Sequence, residues 1–434
     1  MKQKLVQGVR KLLPTGAVRA VEEIYRRGRV YAVSAYYGNP ARSLRVIAVT
    51  GTNGKTTTAN YINEILKQTG YKTAMFSTAV IEINCNAKVN DMNVTVATTG
   101  RMQRFFRAAK KAQVDYVVLE TTSHSLHQHK LDTVPIEVAV MTNLTQDHLD
   151  YHLTMDDYAA AKSKLFSKLP QYMVLNRDDD WFDFFNKFDA AHQKITYGTH
   201  KDAEARIDHV KLYKKGSEAR IVFDGNTDLE LATALPGQFN VYNMTAAASV
   251  AYLLGIKLDD IMEGIANLES VPGRMERIET GAAYDVIVDY AHTPDALEKL
   301  LEAAKAVTKN RIVLVFGAAG DRDKSKRPIM GEIASRLADR IILTDEENYT
   351  EDAAGIRAQI YEGIEAAKGD AKTTEIADRR EAIRKALSVA KTGDTVIVAG
   401  LGHEQYRITD GERVAWHDPT VIRELLDEST KKNQ

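Results

Sequence analysis

"VIAVTGTNGKTTTANYI", residues 46–62, is the stretch on which the reading of the whole chain turns. Val46–Val49 form an apolar run that stops at a glycine-bracketed polar turn, and a helix-compatible run follows it. Successive backbone N–H groups in such a turn, with a helix N-terminus behind them, form an anion nest. Glycines, here Gly51 and Gly54, let the main chain approach phosphate oxygens closely. In that setting Lys55 is placed to reach terminal phosphates and the Thr56 hydroxyl to ligate Mg²⁺, with Thr52, Asn53 and Thr57 completing the loop. The standard phosphate loop carries a further glycine five residues before its second one. Val49 stands there, so a strand–turn–helix joint without a ligand remains the alternative reading.

Outward from this joint the pattern repeats. Apolar runs at 46–50, 74–83, 114–120, 136–142 and 172–176 alternate with helix-like stretches such as Met102 to Lys111, which predicts a mostly parallel sheet covered on both faces. Between 205 and 235 short alternating segments separated by Gly216 and "DGNTD" read as antiparallel hairpins. "ESVPGRMERI" (269–278) concentrates Pro and Gly and marks a boundary. Beyond it come four more strands ending in polar loops, three running on into a helix. Ligands of open α/β sheets bind beyond such strand ends. The expected architecture is α/β: a basic arm (1–44), a central P-loop-type, mostly parallel sheet ATPase domain (45–271) and a Rossmann-like C-terminal domain (272–434).

Bulk properties agree with a multidomain, cytosolic globular protein. The chain has 434 residues, too many for one core, and an ordinary 44% hydrophobic, 27% charged composition. A net charge of -1 gives no sign of nucleic-acid binding. The single Cys85 excludes an intramolecular disulfide and a cysteine-built zinc ribbon, in keeping with a reducing cytoplasm, and no apolar stretch reaches membrane-span length. Charge is uneven, however. Residues 1–45 hold ten Lys or Arg against Glu22 and Glu23, and Leu5, Val9, Leu12 and Leu13 recur at near-helical spacing. This arm is either a solvated helix packed on the next domain or a segment that approaches anionic lipid head groups or a phosphorylated substrate.

Two strand ends carry chemistry. Glu120 closes "VDYVVLE", and Asn143 is followed by Asp147, His148, Asp150 and His152. Five of the eleven histidines (124, 127, 129, 148 and 152) fall in this region. A zinc hydrolase is one reading, although no His-Glu-x-x-His spacing is present. The other pairs Glu120 and His148 with Mg²⁺ ions that bridge phosphates and a carboxylate, since hard cations take oxygen ligands and few protein contacts.

TGTNGKTTT resembles the phosphate loop of the Mur ligases, ATP-dependent amide-forming enzymes of cell-wall peptide assembly. Lys55-Thr56-Thr57-Thr58 favours them over the related folylpolyglutamate synthases, which usually show Gly-Lys-Gly-Ser. Glu120-Thr121-Thr122-Ser123-His124, the run from Thr142-Asn143 to His152, and Tyr158-Ala159-Ala160-Ala161-Lys162 are similar to three further family segments. The resemblance implies that Lys162 is carbamylated, which turns a cation into an anionic metal ligand beside Thr56, Glu120 and His148. Lys55, Glu120, His148 and Lys162 are thus the implied catalytic set. Asn143, Asn240, Asn243, Arg274, Asp289 and His292 match segments around the nucleotide. In the branch that adds the third peptide residue, Thr98, Thr99, Thr122, Gln128 and Lys130 would line the acceptor pocket, Lys130 standing where arginine is common. Arg322, Gly400 and Glu404 would complete the amino-acid pocket.

Two departures qualify the match. The diaminopimelate-adding branch shows Asp-Asn-Pro-Arg after Thr-Asp, whereas this chain reads Thr344-Asp345-Glu346-Glu347-Asn348-Tyr349. Without the arginine and with two added carboxylates, the expected donor is cationic or neutral, or else Glu346 and Glu347 are solvated loop charges. Only about 45 residues precede the phosphate loop, where the branch carries a UDP-holding domain of roughly a hundred. The acceptor is therefore expected to be a muramoyl peptide, UDP-linked or lipid-linked. A polyglutamylating ligase and a non-catalytic ATP-binding protein remain the competing readings.

Overall fold

The computed structural model describes residues 15–90 and 97–432. Leu5, Val9, Leu12 and Leu13 of the basic arm lie outside them. Two α/β layers carry the chain. The first is an eleven-stranded sheet in the order β11-β10-β9-β8-β7-β6-β1-β5-β2-β3-β4. Its strands are β1 (Arg45–Thr50), β2 (Thr73–Phe76), β3 (Val80–Ile83), β4 (Asn86–Val89), β5 (Tyr116–Glu120), β6 (Val138–Met141), β7 (Tyr172–Asn176), β8 (Gln193–Gly198), β9 (Ala205–Tyr213), β10 (Gly216–Phe223) and β11 (Thr227–Thr233). Pairing is parallel from β2 through β5, β1, β6, β7 and β8 to β9, and antiparallel at both flanks.

β1 lies in the interior of this sheet, between β6 and β5, and Val46, Ile47, Ala48 and Val49 are all fully buried, as a strand covered on both faces requires. The helix Lys55–Gln68 packs on one face with Ile62, Ile65 and Leu66, and the helix Thr99–Lys111 on the other with Met102, Phe105 and Phe106. The single apolar run read at 74–83 is two antiparallel strands, because Ser77 turns the chain: its N–H and Oγ both bond Val80 O. The hairpins read between 205 and 235 form a three-stranded meander, but they extend the main sheet through the parallel β8–β9 pair.

The second layer is a six-stranded sheet in the order β12-β13-β17-β14-β15-β16. It comprises β12 (Glu276–Ile278), β13 (Asp285–Asp289), β14 (Ile312–Phe316), β15 (Arg340–Leu343), β16 (Thr373–Glu375) and β17 (Thr395–Ala399), parallel throughout except β12–β13. A short hairpin, β18 (Tyr406–Thr409) and β19 (Glu412–Ala415), follows. Helices Lys326–Leu337 and Ala353–Ala366 cross on this sheet at glycines: a Cβ on Gly331 would meet Ile360 O, and one on Gly363 would meet Pro328 O at 1.8 Å. Among the described residues no helix is long and apolar enough to cross a membrane.

Candidate active site

The carboxyl ends of β1, β5 and β6 face those of β13, β14, β15 and β17 across a cavity of about 740 Å³. One wall is the loop read first in the sequence. Gly51 has φ +150°, and a Cβ there would lie 1.8 Å from Thr142 Oγ1; Gly54 has φ +82°, and its Cβ would lie 2.2 Å from Asn243 Oδ1. Both positions exclude side chains, so Thr142 and Asn243 pack directly against the loop backbone. Asn143 clamps the loop: its Oδ1 accepts Asn53 N at 2.9 Å and its Nδ2 donates to Asn53 O at 3.1 Å, while Asn143 O accepts Thr52 N at 2.8 Å. Tyr158 OH lies 3.2 Å from Thr52 Oγ1.

Oxygen donors converge where the loop becomes a helix. Thr56 Oγ1 donates to Glu120 Oε2 at 3.0 Å, and the same carboxylate oxygen accepts Thr78 N at 2.8 Å and Thr78 Oγ1 at 3.1 Å. Arg274, from the second layer, donates to Thr56 Oγ1 at 3.1 Å. Lys55 Nζ donates to Thr52 O at 2.7 Å, and burial lowers its pKa against the pull of Glu120. Lys162 is 1% exposed; its Nζ donates to Gly51 O at 2.6 Å and sits 4.6 Å above the Tyr158 ring. Burial, reinforced by Lys55, drives the Lys162 amine well towards its neutral form.

The histidines pack ring against ring, edge-on or tilted, rather than converging on one point. His124 and His148 rings lie 4.8 Å apart, His124 and Tyr151 4.1 Å, His152 and Tyr158 5.2 Å. Burial holds His148 down to about 3 and His124 and His152 to about 4, so all three are neutral imidazoles. Among the described residues no three His, Cys, Asp or Glu side chains come together in a set that could hold a metal ion. A catalytic zinc takes three converging protein ligands, mostly histidines, and keeps a fourth position open. A hydroxyl beside one carboxylate suits a hard cation that keeps water and phosphate oxygens. His148 does not share direct contacts with that pair: its Nε2 lies 3.3 Å from Asp147 Oδ2. Asp147 also has His292 Nε2 at 3.9 Å and Lys326 Nζ at 3.8 Å. Burial raises its pKa, but the Lys326 ammonium and the hydrogen bond from the His148 backbone N–H act the other way, and the net shift is downward.

The second layer closes the far wall with Asp289, His292, Arg322, Glu346, Glu347, Tyr349, Gly400 and Glu404. Arg322 donates to Tyr349 OH at 3.0 Å with its guanidinium 4.5 Å over that ring, and Tyr349 OH donates to Glu347 Oε2 at 3.0 Å. Glu346 is 6% exposed and its Oε2 has no hydrogen-bond partner. Gly400, at φ +112°, leaves room for that oxygen, since a Cβ would come within 2.2 Å of it. Burial pushes Glu346 up to about 7 and Glu404 up to about 8. The two layers are tied across the loop by Asn53 Nδ2 to Asp295 Oδ2 at 2.6 Å and His403 Nε2 to Thr78 O at 3.1 Å.

Several residues expected at the site serve it indirectly. Asn240 donates to Pro236 O and accepts from Asn243 Nδ2, so it positions Asn243 without reaching the cavity. Asn348 is occupied by Glu351 O and Asp410 in the loop behind the wall. Asp289 lines the cavity, yet both its oxygens accept main-chain N–H groups, from Met275 and Ala291. Thr98, Thr99, Gln128 and Lys130 are not on the wall. Lys130 Nζ donates to Ala97 O at 2.7 Å and so gathers those segments on one neighbouring edge, while Thr122 alone of the acceptor set lines the cavity. Thr78, Asp295 and Lys326 escaped the sequence reading. Thr78 lies in an unremarkable turn, but Asp295 and Lys326 stand inside quoted polar runs whose charge count was the available signal.

Comparison with known proteins places this geometry. The Mur ligase middle domain model matches residues 49–251 and the Mur ligase, glutamate ligase domain model residues 273–402. The UDP-N-acetylmuramoyl-L-alanyl-D-glutamate--2,6-diaminopimelate ligase of Syntrophomonas wolfei is 40% identical over 396 residues, 90% of this chain and 80% of that protein. Its counterpart in Geobacillus kaustophilus is 39% identical over 93% of this chain and 83% of that protein. A solved structure of such a ligase superposes with TM-score 0.64 at 33% identity, covering 94% of this chain and 83% of its own. Mycobacterium tuberculosis folylpolyglutamate synthase, solved with ADP and AMPPCP, shares the fold at TM-score 0.72 and 18% identity, covering 86% of this chain and 92% of its own. The two matched models fall on the two layers that face each other across the cavity, and the chain belongs to the Mur ligase family of ATP-dependent amide-forming enzymes.

Proposed function

We propose that the chain joins an amino acid to the carboxylate of a muramoyl-peptide precursor, with ATP cleaved to ADP and phosphate. One observation carries the reading: a single cavity has a phosphate loop with Thr56 and Glu120 in contact at one end, and an arginine beside buried carboxylates at the other. The loop amides and Lys55 hold the triphosphate, and Arg274 reaches the same point from the second layer. The Thr56–Glu120 oxygens fit Mg²⁺, which when bound neutralises phosphate oxygens during transfer. The acceptor carboxylate attacks the γ-phosphorus and ADP leaves, giving an acyl phosphate. The donor amine then attacks the acyl carbon, and phosphate departs as the amide forms. Bringing these groups together in one cavity supplies most of the rate gain. Ties such as Asn53–Asp295 favour closure of a 272–434 domain onto a 45–271 domain before chemistry.

Lys162 fits carbamylation. Carbon dioxide adds to a neutral amine, releasing one proton, and the burial of Lys162 favours that neutral form. The acceptor is assigned to the edge formed by Thr98, Thr99, Thr122, Gln128 and Lys130.

For the donor, the relatives' names specify 2,6-diaminopimelate. Here Arg322 suits the α-carboxylate common to every amino acid, and the remaining corner offers Glu346, Glu347 and Glu404. A donor whose side chain ends in an ammonium, such as lysine or ornithine, complements that corner, whereas a second carboxylate meets like charge. The test is a phosphate-release assay crossing UDP-linked and lipid-linked muramoyl peptides with lysine, ornithine, diaminopimelate and neutral amino acids. Release should require both substrates and vanish in Lys55→Ala and Lys162→Ala. Hydrolysis indifferent to every carboxylate and amine would remove the ligase reading.

A further inference from the structure

The helix Thr15–Tyr36 is amphipathic the wrong way round for a soluble protein. Its polar side faces the body: Glu23 bonds His129 Nε2 at 3.1 Å, Arg27 pairs with Asp132 at 3.2 Å, and Ser34 hydrogen-bonds Asn39 and Gln103. Among the described side chains of the helix, Val30 is the one buried apolar residue on that face. The opposite side is apolar and open: Val21 is 57% exposed, Ile24 72%, Tyr25 67%, Tyr31 49% and Tyr36 84%. Gly28, Ala32 and Ala35, also exposed, fill the positions between them. At about 100° per residue these eight positions form one continuous stripe, with Arg27 and Arg29 about 100° to either side of its centre. Of the twelve large hydrophobic side chains exposed among the described residues, five are on this helix and the others are scattered.

We infer that this face docks on a membrane surface bearing anionic lipid. Two independent features select that partner. Residues 1–45 carry ten Lys or Arg against two Glu, whereas the whole chain is at -1, so the positive charge is concentrated on the segment that owns the stripe. Such a juxtaposition of basic and apolar surface is what binds an amphipathic helix in the plane of an anionic interface. The large side chains are mainly tyrosines, whose rings enter the head-group layer while their hydroxyls stay hydrated. A second copy is the poorer occupant: with arginine on both rims of the stripe, a symmetric pairing sets arginine against arginine. The helix lies along the surface and does not span it, as its polar side is bonded to the protein.

The experiment is vesicle co-sedimentation of the full chain, with phosphatidylcholine alone or mixed with phosphatidylglycerol, at low and high salt, alongside analytical ultracentrifugation without lipid. Binding is expected only with phosphatidylglycerol and should fall with salt. Ile24→Asp should abolish it, and Arg29→Glu, a reversal worth two charges, should weaken it roughly thirtyfold. Amine-dependent phosphate release in solution should be unchanged in Ile24→Asp, and far-UV circular dichroism matching the wild type reports that Arg29→Glu folds. Equal binding to neutral vesicles, no binding to either kind, or a dimer that Ile24→Asp dissociates would each overturn the inference.

Discussion

Replacing Glu346 with glutamine should make the free protein more stable and a worse enzyme for a cationic donor. Glu346 is 6% exposed with an unpartnered Oε2; burial pushes its carboxyl up from 4.5 to about 7, Arg379 opposing and Glu347 reinforcing the shift. That displacement corresponds to roughly 3 kcal/mol against ionisation in the folded state. The sign follows from proton counting. Between the unfolded value near 4.5 and the folded value near 7 the native state holds a proton that the unfolded chain has lost, so wild-type stability declines as pH rises through this window. Glutamine carries no such penalty. The gain from Glu346→Gln should be near zero below about pH 4 and approach roughly 2–4 kcal/mol by about pH 8.5. In the enzyme the same carboxylate awaits an ammonium. Losing one charge-assisted hydrogen bond, roughly 1.5–3 kcal/mol, lowers kcat/KM for lysine or ornithine by roughly 10- to 150-fold and leaves a neutral donor unaffected. Urea unfolding followed by tryptophan fluorescence across that pH range, with steady-state phosphate release for each donor, measures both arms. A stabilisation independent of pH, or an equal fall for cationic and neutral donors, would refute the reasoning. Unimpaired use of diaminopimelate would defeat the cationic-donor reading itself.

Gly363→Ala should be severe, because its Cβ would sit 1.8 Å from Pro328 O on a crossing helix and that backbone cannot yield; a loss of about 3 kcal/mol or more is expected in urea unfolding. Arg379 and Asp418 form a wholly buried pair at 2.7 and 2.9 Å, so Arg379→Ala should cost about 3–5 kcal/mol. The double change Arg379→Met with Asp418→Leu should recover most of it, a comparison that denaturation midpoints settle. Lys162→Ala should remove a carbamate resonance from ¹³C spectra recorded with labelled bicarbonate while ADP still binds, separating loss of the modification from loss of folding.

Much of the fold was legible because it is written locally. Val46–Val49 and Ile312–Phe316 are uninterrupted apolar runs that suit only strands buried on both faces, and the Gly51 and Gly54 positions announce a close main-chain turn. The split of 74–83 into two strands was hidden, since Ser77 acts through a bond to Val80 that composition does not mark. At the site, Lys55, Thr56, Glu120, Lys162 and Arg322 were each placed by motif. Asn240 and Asn348 have the right residue type, but their side chains are spent on neighbouring backbone and side chains.

The sequence by itself determined the phosphate loop, the alternation of strand and helix, and the chemical types available at each strand end, because these depend on residues near one another in the chain. Only the tertiary structure decided which of them meet. It put Thr78 on Glu120, Arg274 on Thr56 and Asp295 on Asn53 across 42, 218 and 242 residues of chain. It also turned the apolar side of the helix Thr15–Tyr36 outward and left Glu346 dry. Burial and long-range partnership set charge and access, and both are properties of packing that no local pattern encodes.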